Sequence, residues 1–433
     1  MPLVRPPTQQ STSSSSVTAQ TNGLPIFKPC PRSNFVAGHN DWLAVTSPKP
    51  FLDFDICPDC YNTSFHNTRY QACISPSPAK LENVGTKCDF SERWIRNAFA
   101  WLFIQCQPDL NLMGEVASIQ RDEDGVCPNF NFEDPEVKKG GRPAVKRTWY
   151  CLQDPKTGTL VEELTACSDC VEHIKLIFPC LKSIFAPVAD GQKLLATCDM
   201  MTIGDGEARC LEYFDSLASV AQATLETGTR DITPLIEYIK TWAPVPICQK
   251  GNAVAGQKRY SLPTTIPEFT ACEECYLKHI APNLAMSPPP IIVSQLQYDM
   301  PATGAGFMCD LFSPRLQQYW KDAALTNDVA TYRQKLIARN NKMQEINLQL
   351  GRMKQEYQQL KMQSEMHIQQ CRIEQMRATT ANMAWMSTGW IGPPIDWGAT
   401  NAQMSRGGEF AIKAAMTLDK MTALEKEWAD YWE

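Results

Sequence analysis

The sequence lacks the signatures of the commoner enzyme classes. It has no Gly-rich phosphate loop after a strand pattern, no HExxH and no GxSxG, so phosphate cradling, a helical zinc-protease pair and a serine elbow are not signalled. No catalytic residue or organic cofactor can be named, and a non-enzymatic protein is expected. Charge of one sign is also scarce. Lys and Arg number 41 against 47 Asp and Glu, a net of -6, which excludes a generally basic surface for nucleic acid or acidic lipid. Histidine is rare, with five in 433 residues.

Long apolar runs are missing as well. The best stretches, 94–106 and 174–189, are too short or too interrupted for the roughly 20 residues of a spanning helix. Residues 1–25 are polar from Thr8 onward, with no apolar core of a secretory signal, and read as a disordered Ser/Thr-rich tail. The expected location is intracellular, cytoplasmic or nuclear, without membrane contact.

Cysteine is abundant. Eighteen cysteines in a reducing compartment are metal ligands more readily than disulfides, although an even count leaves the disulfide reading open. The motif CxxC occurs three times, at Cys57/Cys60, Cys167/Cys170 and Cys272/Cys275, each with an acid before the second cysteine (Asp59, Asp169, Glu274). A Cys-Asp-apolar triplet follows each: Cys88-Asp89-Phe90, Cys198-Asp199-Met200 and Cys309-Asp310-Leu311. The triplet begins 28, 28 and 34 residues after the second CxxC cysteine. Such agreement marks an internal repeat.

Each repeat also has an upstream cysteine, taken as Cys30, Cys151 and Cys248, the last two following Trp149 and Trp242. Zinc needs four ligands in a tetrahedron, and two cysteines two residues apart reach one ion from a single tight turn. The spacing predicts three structural four-cysteine zinc sites: Cys30, Cys57, Cys60 and Cys88; Cys151, Cys167, Cys170 and Cys198; Cys248, Cys272, Cys275 and Cys309. Cys73, Cys106, Cys127, Cys180, Cys210 and Cys371 are spare, and Cys210 competes with Cys198. His66, His173 and His279 follow the CxxC pairs at unequal offsets and read as surface or packing histidines. Thiol-redox chemistry is the rival for CxxC at a helix start, best at Cys57-Pro58-Asp59-Cys60. Ubiquitin transfer is disfavoured, because a cross-braced site needs two interleaved zinc sets and each copy supplies one.

Lys138, Lys139, Arg142, Lys146 and Arg147 form a basic run around Gly-Arg-Pro. It reads as an exposed linker, with a nuclear or nucleic-acid-associated role through 138–147 as the alternative. Residues 327–377 hold no proline and one glycine and predict a long helix. Leu336, Met343, Ile346, Leu350, Met353, Tyr357 and Leu360 make a heptad seam interrupted at Arg339, weakening at Ser364, His367 and Cys371. A loop with Trp385, Trp390 and Trp397 ends this helix. A last amphipathic helix at 408–433 is expected to fold back as a hairpin, or else to leave the seam for another chain.

The segments PEFTACEECYLKHIAP and CDLFSPRLQQYW, followed by the Gln- and Lys-rich helix, resemble a family of cysteine-rich proteins of filamentous fungi that carries no established activity. The resemblance covers mainly the third repeat and the helix after it.

The fold class expected is α+β: small, treble-clef-like zinc-stabilised repeats followed by a long helical tail, as coiled coil or hairpin. The divisions are the tail at 1–25, repeat one at 26–120, a basic linker at 121–148, repeat two at 149–230, repeat three at 231–326, the long helix at 327–377, the Trp-rich loop at 378–407 and the last helix at 408–433. The expected function is a zinc-binding scaffold, with a protein partner or self-association through the C-terminal helix.

Overall fold

The computed structural model describes residues 27–202, 207–300, 306–388 and 398–432. The tail at 1–25 and residues 389–397 of the Trp-rich loop lie outside them, whereas 378–388 and 398–407, expected as part of that loop, are helical and extend the two flanking helices. The chain forms two compact units, Met1–Pro244 and Val245–Glu433.

The first unit holds two copies of one small plan. In the first copy, β1 (Leu43–Val45) is the middle of an antiparallel sheet between β2 (Phe51–Ile56) and β3 (Ile74–Pro76). The second copy opens with a two-stranded ribbon of β4 (Val145–Arg147) against β8 (Leu194–Ala196). Its main sheet places β5 (Trp149–Gln153) between β6 (Leu160–Cys167) and β7 (Phe185–Pro187). In the second unit, β9 (Arg259–Leu262) lies between β10 (Ile266–Cys272) and β11 (Gln297–Asp299). In all three copies the strand order is second, first, third, and the second strand runs into CxxC.

These strands are too short to bury a sheet-sized core alone. Helices complete it. In the first unit the helix Arg93–Ile104 buries Trp94, Ile95, Ala98, Phe99, Trp101 and Leu102. Phe99 meets Phe65, Phe90 and Tyr70 with ring centroids 4.7–5.6 Å apart. The same helix joins the two copies: Trp101 sits edge-on to Phe178 at 4.8 Å, and Trp94 stacks on His173 at 4.9 Å. The helix Thr233–Trp242, read with repeat three, belongs to this unit and packs on β6.

In the second unit Ser313 caps the helix Pro314–Thr326, accepting the amide of Leu316, with Pro314 at the first helical position. A hydroxyl at the cap takes up an otherwise unpaired amide, and a proline first in the helix has no amide to leave unpaired. Trp320 stacks against Phe269 of β10, and Tyr332 from the next helix closes the cluster.

That next helix runs from Val329 to Thr388, and the last helix, Gly398–Trp432, packs along it. The seam is closed within the chain. On the last helix Thr400, Gly407, Ala414, Thr417 and Met421 are buried and Gln403, Phe410, Leu424 and Trp428 half-buried, at alternating spacings of three and four. The long helix does not lose its seam after Leu360. Ser364 and Cys371 are buried, Ser364 donates to the carbonyl of Gly407 at 2.9 Å, and His367 stacks on Phe410 at 5.4 Å. Small residues carry the contact here: a Cβ on Gly407 would lie 3.3 Å from Ile368. Among the described residues no helix is long and apolar enough to cross a membrane.

Candidate metal centres

Each CxxC turns from strand into helix. Cys57 precedes the helix Pro58–Ser64 with extended backbone, and its sulfur accepts the Cys60 amide at 3.4 Å. Cys167 stands at the same place before the helix Ser168–Ile177, and Cys272 before Glu273–Cys275. A helix start gathers unpaired amides and the positive end of the dipole, which favours thiolate.

The Cys-Asp triplet is fastened to the strand that leads into CxxC. The amide two residues before the first CxxC cysteine donates to the triplet aspartate in every copy: Asp55 to Asp89 at 2.7 Å, Thr165 to Asp199 at 2.7 Å and Thr270 to Asp310 at 2.9 Å. In copies two and three the aspartate amide returns a bond to the same strand residue, at 2.8 and 2.7 Å. Burial raises the carboxyls of Asp89 and Asp310 to about 6. In copy three the aspartate also meets Arg339, the residue that interrupts the heptad seam, at 3.4 Å. Arg339 is buried, with its guanidinium over the rings of Phe312 and Trp428.

The three repeats thereby gather three sets of four sulfurs, each set lying within 4.8 Å of one another: Cys30, Cys57, Cys60 and Cys88; Cys127, Cys167, Cys170 and Cys198; Cys248, Cys272, Cys275 and Cys309. Eleven of the twelve expected ligands are in place, and Cys151 is not. Cys151 sits in β5, the middle strand, opposite Thr165 and Ala186, where burial raises its thiol. Its place is taken by Cys127. The CxxC acid explains the choice: the Cys127 amide donates to Asp169 at 3.0 Å, and Arg121 holds the other carboxylate oxygen at 3.0 Å. The Cys248 amide donates to Glu274 in the same way, at 2.7 Å. A signal for Cys127 existed in the dipeptide Cys127-Pro128, which matches Cys30-Pro31.

The remaining spare thiols and the histidines stay outside the clusters. Cys210 is buried and bonded to the amide and hydroxyl of Thr202 at 3.2 and 2.7 Å. His173 bonds the carbonyl of Asp169 at 2.6 Å, and burial lowers its pKa. Four of the five residues of the basic run have partners, and Lys146 is exposed. Lys138 pairs with Glu133, Lys139 with Glu136 and Arg142 with Asp199, while Arg147 donates to the carbonyl of Val126. The stretch 121–148, read as a linker, supplies both Cys127 and β4.

The chemistry of the sets suits a soft divalent ion. Cys30 and Cys57 are 3.7 Å apart, as are Cys170 and Cys198. A disulfide requires about 2.05 Å, whereas zinc–sulfur bonds of about 2.3 Å in a tetrahedron hold sulfurs roughly 3.8 Å apart. All eighteen cysteines are free thiols. Backbone amides serve the sulfurs as well: Arg32 to Cys30 at 3.3 Å, Cys57 to Cys88 at 3.3 Å and Leu311 to Cys309 at 3.4 Å. Within each set one thiol is driven toward thiolate by its neighbours. The hydrogen bond from Cys60 lowers Cys57 to about 2, while Cys60 rises to about 12. Cys167 and Cys248 are pushed down in the same way, first by Cys127 and by Cys272.

The chain matches no protein-family model, no curated protein and no solved structure.

Proposed function

We propose that the protein is a non-enzymatic zinc scaffold, in which three structural ions hold three small repeats rigid and the helical hairpin serves assembly with protein partners. The observation that carries this reading is the threefold recurrence of four sulfurs within 4.8 Å at the junction of strand, helix start and Cys-Asp triplet. Four thiolates around zinc close the coordination shell and leave no position for water or substrate, so the ion contributes to folding and not to chemistry. Apparent binding energies of about 10–16 kcal/mol in small zinc domains are large beside the net stability of a domain. This fits repeats built on strands of three to eight residues. A thiol-redox role finds less support, because each CxxC pair shares its surroundings with two further cysteines.

The test is metal content of the purified full chain by native mass spectrometry. Three zincs per chain support the scaffold. A site that turns over a dithiol substrate, or a chain without metal, would remove it.

A further inference from the structure

The long helix has a second apolar stripe that the hairpin leaves uncovered. Met362, Met366, Ile373, Met376 and Met383 are 46–65% exposed. With Gln369 and Thr380 they recur at alternating spacings of four and three, on the side of the helix opposite the seam. A solvent face of a hairpin is ordinarily polar, and the same positions nearer the amino end are Arg352, Gln355 and Gln359. The stripe spans 22 residues, about 32 Å of helix.

From this stripe we infer that the helix pairs antiparallel with the same helix of a second copy of this chain. The inference deepens the scaffold reading and rests on its assembly role for the hairpin. The flanking charges select the occupant. Glu365 and Arg372 border one side of the stripe, Glu356 and Arg377 the other, all exposed and without an ion-pair partner among the described residues. A two-fold axis between His367 and Ile368 brings Glu365 toward Arg372 of the second copy and Glu356 toward its Arg377. One register therefore satisfies both sides and yields four interchain ion pairs. It also sets Met362 against Ile373 of the second copy, with Met376 and Met383 meeting the alkyl stems of its Gln359 and Arg352. The partner helix ends at Thr388, opposite Asn347, so Tyr332, Leu336 and Arg339, which pack on the third repeat, lie beyond the overlap. A parallel second copy in register would instead bring the Glu365/Arg372 side of one helix against the Glu356/Arg377 side of the other, setting Arg372 toward Arg377 and leaving Glu365 opposite Gln370.

Sedimentation equilibrium of the full chain tests this, with zinc content measured on the same samples. The expected mass is twice the 48.6 kDa of the chain. Met362→Glu with Ile373→Glu should give a monomer that retains its zinc. Glu365→Arg alone should weaken association at least about tenfold, through two repulsive contacts of roughly 0.7 kcal/mol or more each. Adding Arg372→Glu should restore it, which a merely structural role for these side chains would not do. A wild-type monomer at micromolar concentration, a dimer indifferent to Ile373→Glu, or failure of the double reversal to restore pairing overturns the inference. Loss of zinc would instead count against the scaffold reading itself.

Discussion

The second four-cysteine set turns on one cysteine. Cys127 and Cys151 both lie upstream of Cys167, and proximity to a tryptophan points to the wrong one. Trp149 and Trp42 occupy corresponding positions at the head of the middle strand and are buried there, so the tryptophan marks the sheet and not the ligand. What selects the ligand is a buried carboxylate reaching a backbone amide, a contact between residues 42 apart that spacing alone does not reveal. Cys127→Ser is expected to lower the zinc count from three to two, whereas Cys151→Ser leaves it at three; native mass resolves the two. Asp169 is nearly fully buried and Asp59 exposed. Asp169→Ala should therefore cost about 2 kcal/mol, since it removes a charged partner from an amide and an arginine. Asp59→Ala should stay within about 0.5 kcal/mol. Denaturant melts of both variants check this difference. Gly114 is a further residue-scale case, because a Cβ there would lie 2.3 Å from the ring of Phe51. Gly114→Ala should destabilise by about 1–3 kcal/mol through overpacking.

Elements were legible where one local rule governs them. The helix start at Ser313-Pro314 is written in capping chemistry, and the seam from Leu336 to Leu360 in apolar period. The continuation through Ser364, His367 and Cys371 is not. There the helices meet through a serine hydroxyl, a stacked imidazole and a glycine, and each becomes apolar-like only when its partner helix is known. Arg339 is a similar case: an apparent flaw in the heptad is the residue that ties the hairpin to Asp310 beside the third cluster. Gly407→Val tests the close contact. With Ile368 already 3.3 Å from the position of a Cβ, the larger side chain should separate the helices and cost about 1–3 kcal/mol, read as an earlier helical transition in circular dichroism.

At the scale of the whole molecule, the repeat itself was readable because a four-cysteine cluster imposes cysteine spacing directly on the sequence. The grouping of the repeats was not, because it depends on contacts such as Trp94 on His173 and Trp101 on Phe178, between residues with no shared periodicity. Copies one and two share one unit, while copy three takes its core from Trp320, Tyr332 and the long helix. Metal and core should therefore unfold together in each unit. Chelation should remove the near-ultraviolet signal of buried Trp149 and Trp320 along with the ions.

The most direct measurement is the intact mass of the full chain under native and denaturing conditions, before and after a strong chelator. The account predicts three zincs per chain in the native spectrum, their loss on chelation with collapse of the folded charge distribution, and a denatured mass showing eighteen reduced cysteines. A native protein with fewer than three metals, or a denatured mass short by two hydrogens for each pair of cysteines, would contradict it.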